Sequence, residues 1–117
     1  MDAETIKKRE RQLSNIFRDI SKEKKKLVGD LIKQAAFMAE NLSDLQAKIM
    51  EHGAVVTSTN GNGFEVTQES AAQKSYNTTI NRYTTVIKTL TDILPDANAD
   101  ATKKAGEALA AFVAKGK

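Results

Sequence analysis

Side chains suited to covalent or acid–base chemistry are scarce in this 117-residue chain. Cysteine is absent, which excludes disulfides and thiolate metal sites, and the one histidine, His52, stands beside Gly53. An imidazolium in that position serves as a dipole partner for a helix C-terminus more simply than as a catalyst. Asp and Glu are scattered at helix-surface intervals, with no nucleophile motif and no paired His and carboxylate spacing that would hold a metal. The run Gly61-Asn62-Gly63 lacks the Lys-Ser/Thr and the strand–loop–helix setting of a phosphate-binding loop. Neither catalysis nor a cofactor is expected.

The chemistry that remains is electrostatic. Net charge is +3, unevenly placed: residues 1–33 hold ten Lys/Arg against six Asp/Glu, whereas residues 34–68 hold one against four. Lys7, Lys8, Arg9 and Arg11 fall in a first predicted helix, and Lys24, Lys25 and Lys26 in the first turn of a second. Such a basic arm attracts phosphate backbones by counterion release. Three ammonium groups also oppose the positive end of a helix dipole, so the run is either a solvated charged turn or a place for a compensating anion.

These residues are positioned by helices of marked periodicity. Helix one, expected over 3–19, puts Ile6, Leu13, Ile16, Phe17 and Ile20 on one face with its cations largely off it. So short an amphipathic helix must dock on something. Ser21 suits the N-cap of helix two, which runs to His52 before Gly53 as C-cap, roughly 45 to 50 Å long. Its seam is Val28, Leu31, Ala35, Met38, Leu42, Leu45 and Ile49. Helix three, expected from Ala71 to Leu94 and ended by Pro95, carries Tyr76, Ile80, Tyr83, Ile87, Leu90 and Leu94, widened by Val86 and Ile93. Steps of three and four give each helix a narrow apolar edge for a partner. Phe37 lies outside its seam, as a surface aromatic or a contact to a neighbouring copy.

Between the two long helices, β-branched residues alternate around Asn60-Gly61-Asn62-Gly63. With Asn60-Gly61 as a tight turn, Thr57 would face Phe64 and Val55 would face Val66. A lone two-stranded hairpin is barely stable in water, so it should lean on the helices or add its edge to a neighbour's. Beyond Pro95 the chain becomes an Ala-rich tail in which Asp100 could cap a helix carrying Leu109, Phe112 and Val113 on one side, either frayed or ready to dock on a partner.

The predicted fold is therefore mainly α: a basic N-terminal helix over 1–20, an antiparallel helical hairpin over 21–95 with a β-hairpin insert at 53–68, and a tail over 96–117. Six aromatic residues and no Trp make a thin core, which burial against copies of the chain would supplement. Leu31, Met38, Leu42, Leu45, Ile49, Tyr76, Ile80, Tyr83, Ile87 and Leu90 are the candidates for that self-association. No apolar run approaches the roughly 18 residues of a membrane span, and the N-terminus has no apolar signal core, so a cytoplasmic protein without a membrane partner is expected.

One further expectation comes from resemblance. A basic N-terminal helix, a long helix closing on Glu51-His-Gly-Ala-Val-Val, a polar Asn-Gly-Asn-Gly hairpin, then Gln73-Lys-Ser-Tyr-Asn-Thr-Thr-Ile-Asn-Arg-Tyr leading to Leu90-Thr-Asp-Ile-Leu-Pro95 resemble, over about residues 25–95, the small terminase subunit of tailed bacteriophages. The chain departs from that pattern at Gln68-Glu69-Ser70, where the family often has Asn-Pro, and after Pro95, where it has a basic residue. The resemblance implies a ring-forming, non-catalytic subunit that binds viral duplex DNA and presents it to the large terminase subunit. On that reading Lys7, Lys8, Arg9, Arg11, Lys24, Lys25 and Lys26 meet DNA, and Leu109, Phe112 and Val113 dock on the motor. The competing class is a helical-hairpin interaction module, a dimeric adaptor or inhibitor without DNA binding.

Overall fold

A computed structural model of the chain describes residues 2–93 and 99–115, side chains at 99–105 and 115 excepted. The element order is α1 (Ala3–Ile16), α2 (Lys22–His52), β1 (Val55–Thr59), β2 (Glu65–Glu69), α3 (Ala71–Ile93) and α4 (Ala99–Lys115). The predicted class holds: the chain is mainly helical, with a two-stranded antiparallel hairpin between α2 and α3. Leu94 and Pro95, assigned to the end of helix three, lie outside the described residues.

Local chemistry sets most boundaries. Asp2 caps α1 by accepting from the Thr5 backbone N–H at 2.8 Å and its hydroxyl at 2.9 Å, which together hold the Asp2 carboxyl below its usual pKa. Ser21 caps α2, its Oγ accepting from the Lys24 amide at 3.4 Å. Helix α1 ends three residues earlier than its pattern predicts, because the chain turns at Phe17, yet Phe17 and Ile20 are still buried. At the far end of α2, Gly53 adopts φ 88°, ψ 161°. This region is close to exclusive to glycine and extends the chain into β1, whereas the commoner glycine C-cap curls it in the left-handed helical form. Ser70 caps α3 through a 3.1 Å bond from the Gln73 amide, and its own N–H donates to the Ala54 carbonyl at 2.8 Å, closing the hairpin's base.

The core forms where α1 and α3 pack on α2 and α4 packs on α1. Leu13, Phe17, Val28, Ile32, Ala35, Ala39, Leu42, Tyr83, Leu90, Leu109 and Phe112 belong to one buried cluster. Helix α2 has two apolar stripes, not one. The predicted seam faces α3, with the Gln46 amide donating to the Tyr76 hydroxyl at 3.2 Å. A second stripe containing Ile32, Ala36 and Ala39 is also buried, and its small residues let a neighbouring helix approach closely. The result is a rod of 64 × 25 × 23 Å.

The hairpin register differs from the predicted one. Val55 pairs with Glu69, Thr57 with Thr67 and Ser58 with Val66, three residues from the expected pairing. The cause is the loop. Asn60 Oδ1 accepts from the Asn62 and Phe64 amides at 3.0 and 3.1 Å, the Asn60 carbonyl accepts from Gly63 N–H at 3.1 Å, and the positive φ falls at Gly63 (84°) and not at Gly61. This is a three-residue loop with a left-handed glycine at its end, selected over the two-residue turn because the asparagine side chain captures two orphan amides. The odd shift changes which residues share a face. Alternation from this register sets Val56 and Val66 on one side, the Phe64 side, and Val55 on the other.

Candidate functional site

Six of the seven predicted DNA-contacting cations, Lys7, Lys8, Arg11, Lys24, Lys25 and Lys26, are exposed. They do not form a single patch. Arg9 meets Glu40 across the α1/α2 interface, so the α1 cations lie level with the middle of α2, whereas Lys24, Lys25 and Lys26 stand at its start, roughly 20 Å away at 1.5 Å per residue. Two basic clusters on one rod suit a ligand with charge repeated along its length.

Arg9 corrects the seventh assignment. Its Nε donates to Glu40 Oε1, the two side chains are only 15% and 11% exposed, and the guanidinium carbon sits 5.7 Å from the centre of the Phe112 ring. The side chain thus ties α1 to α2 and α4 and is mostly withdrawn from the surface that a phosphate would approach. The signal was present in the spacing: Ile6, Arg9, Leu13, Ile16 and Ile20 step by three and four, so Arg9 belongs to the apolar stripe of α1. Glu40, an acid within the second stripe of α2, was its counterpart.

Tyr83 lies in the same neighbourhood. It is 6% exposed, and its hydroxyl is the one buried side-chain polar atom without a partner among the described residues. Burial pushes its pKa up, with the Arg9 charge pulling the opposite way. No group of three or more His, Cys, Asp or Glu gathers as a metal site among the described residues.

The predicted self-association seam is largely occupied within the chain. Leu42, Tyr83 and Leu90 are buried, and Leu31, Met38, Tyr76, Ile80 and Ile87 are half-buried against the same core, as Leu45 and Ile49 are half-buried beside it. The tail residues assigned to a partner are likewise taken up internally. Leu109 and Phe112 are 3% and 4% exposed and Val113 is half-buried, because α4 packs along α1. The short apolar face of α1 needs cover on more than one side, and α4 supplies it. Asp100, the predicted cap, falls inside the helix that begins at Ala99, and its side chain is outside the described residues.

What the body leaves outward is found elsewhere. Met50, Val55, Val56 and Phe64 are exposed around the hairpin, and an open groove of about 660 Å³ runs between α2 and α3, lined by Lys33, Phe37, Met38, Arg82, Thr85 and Val86 among others. Phe37, ambiguous from sequence, forms part of this groove. No helix among the described residues is long and apolar enough to cross a membrane. No protein-family model, curated protein sequence or solved structure matches the chain.

Proposed function

We infer that the chain is a small terminase subunit, a non-catalytic, self-associating protein that binds viral duplex DNA in the host cytoplasm and delivers it to the large terminase motor and nuclease. The observation that carries this reading is the pair of exposed basic clusters, Lys7, Lys8 and Arg11 on α1 and Lys24, Lys25 and Lys26 at the start of α2. No hydrogen bond or ion pair of a described residue engages these side chains. They are free to exchange counterions for phosphates, and they project from a stiff rod. The sequence resemblance supports the terminase assignment, and the thin core and unpartnered hairpin favour self-association.

Replacing Lys24, Lys25 and Lys26 by Glu tests it. Duplex DNA retardation at low salt should weaken by roughly tenfold or more, and the slope of log affinity against log salt should flatten by up to about 3. Because all three side chains are exposed, helicity by circular dichroism should not change. Unaltered retardation would remove the assignment.

The outward apolar residues at Phe37 and Phe64 also favour a second reading, an interaction module without DNA affinity. Mass in solution with and without duplex DNA separates the two: a multimer of many copies that binds DNA supports the terminase reading, and a monomer or dimer indifferent to DNA supports the module.

A further inference from the structure

Two exposed features of this chain complement each other. The first is the hairpin tip. Phe64 is 71% exposed, Val56 on the same face is 42% exposed, and the segment 53–70 carries Glu65 and Glu69 with no cation. Glu69 accepts from Asn77 Nδ2 at 3.0 Å, whereas Glu65 has no partner among the described residues. A two-stranded hairpin tied to its neighbours only near its base is barely stable in water, so this one gains from whatever covers its apolar face.

The second feature is the groove between α2 and α3. Phe37, itself 48% exposed, lines it with Met38 and Val86, and it also contains Lys33 and Arg82 but no carboxylate. Its volume, about 660 Å³, has room for an aromatic ring and the adjoining strand. It does not serve the chain's own hairpin. The groove lies level with residues 33–38 of α2, roughly 20–30 Å from the His52 end where β1 departs, and Phe64, being 71% exposed, is not seated in it.

We propose that the groove receives the hairpin tip of a second copy of this chain, with Phe64 seated against Phe37, Met38 and Val86 and Glu65 held by Lys33 and Arg82. The proposal rests on the self-association part of the function above and names the surfaces that carry it. Strand alternation suits the fit. When the Phe64 face enters the groove, Glu65 stays on the outer face at the rim, where the long arms of Lys33 and Arg82 can reach it. Because unlike surfaces meet, each copy has both a tip to give and a groove to fill, and the contact can run onward into a closed ring or be exchanged within a pair.

The test is charge reversal and repair on the full chain, read by light scattering. Glu65→Lys alone and Lys33→Glu with Arg82→Glu should each shift association to at least about tenfold higher protein concentration. The triple variant should recover the wild-type mass. All three side chains are exposed, so circular dichroism should show unchanged helicity. The absence of cysteine allows a second measurement: oxidising a mixture of F64C and F37C single variants should give a covalent dimer of one with the other. A wild-type multimer indifferent to every reversal, with no such crosslink, overturns the contact but leaves self-association standing. A wild type that stays monomeric overturns both. A dimer sensitive to reversal and repair supports the contact and removes the ring, and DNA retardation judges the nucleic-acid part separately.

Discussion

In the helical body, Leu13, Phe17, Val28 and Leu90 are each at most 2% exposed; in the hairpin, Val55, Val56 and Phe64 are 42–71% exposed. Both regions follow their own periodicity faithfully, 3.6 in one and 2 in the other. They differ in what lies opposite. Each helical stripe finds another stripe within reach of a short turn or a hairpin, whereas the hairpin has departed from the end of a 31-residue helix and, apart from the Glu69–Asn77 bond at its base, leaves its large apolar residues exposed. Patterned apolar residues therefore become core or contact surface according to reach, not composition.

Core truncation offers the largest test of this contrast. Phe17→Ala should lower the unfolding free energy by about 3–5 kcal/mol, whereas Phe64→Ala, measured in dilute protein where copies are apart, should stay within about 0.5 kcal/mol. Denaturant melts of the two variants would erase the distinction if the two costs were similar.

The Arg9–Glu40 pair comes next. Arg9→Ala leaves the Glu40 carboxylate mostly buried without its partner and removes the cation from the Phe112 ring, a loss of about 2–3 kcal/mol. Replacing both partners by apolar residues, Arg9→Met with Glu40→Leu, should recover most of that loss. If Arg9 were a DNA contact instead, Arg9→Ala would leave the melt unchanged and weaken retardation, the reverse of the expected pattern.

Tyr83 gives the smallest effect and sharpens the same region. Its hydroxyl is buried without a partner, so Tyr83→Phe should be neutral or stabilising by up to about 1 kcal/mol. The sign of the pH dependence follows from the raised pKa. The protonated phenol is favoured in the folded chain, so its contribution is fully present below the ordinary value of 10.0 and is lost as pH rises through the higher folded value. Tyr83→Phe should therefore blunt the alkaline decline in stability, and pH-dependent thermal melts of the two proteins would show it.

Much of the body was legible because its signals are local. Seams at three- and four-residue steps, Ser21 as a cap, Gly53 as a stop and a β-hairpin around Asn60 each follow from propensities within a few residues. The misses share a different origin. Arg9 was grouped with its charged neighbours, although its place on the α1 stripe aimed it at Glu40, a residue 31 positions away. Leu109 and Phe112 were read as a free face because nothing in the tail says that α1 has a side left to cover. The hairpin register turned on a competition between two Asn-Gly loop geometries, settled by the Asn60 carboxamide and the positive φ at Gly63.

By itself the sequence determined the types and order of the first five elements, the two charged clusters and the absence of thiol chemistry, since each depends on backbone propensity or composition alone, while it left the tail open. Only the tertiary structure decided which apolar stripes are used up inside the chain, which cation is buried, and which aromatic residues remain outward at Phe37 and Phe64. The physical reason is that burial is a property of pairs of surfaces: a stripe specifies the direction it faces, and packing across long sequence separations decides what it meets.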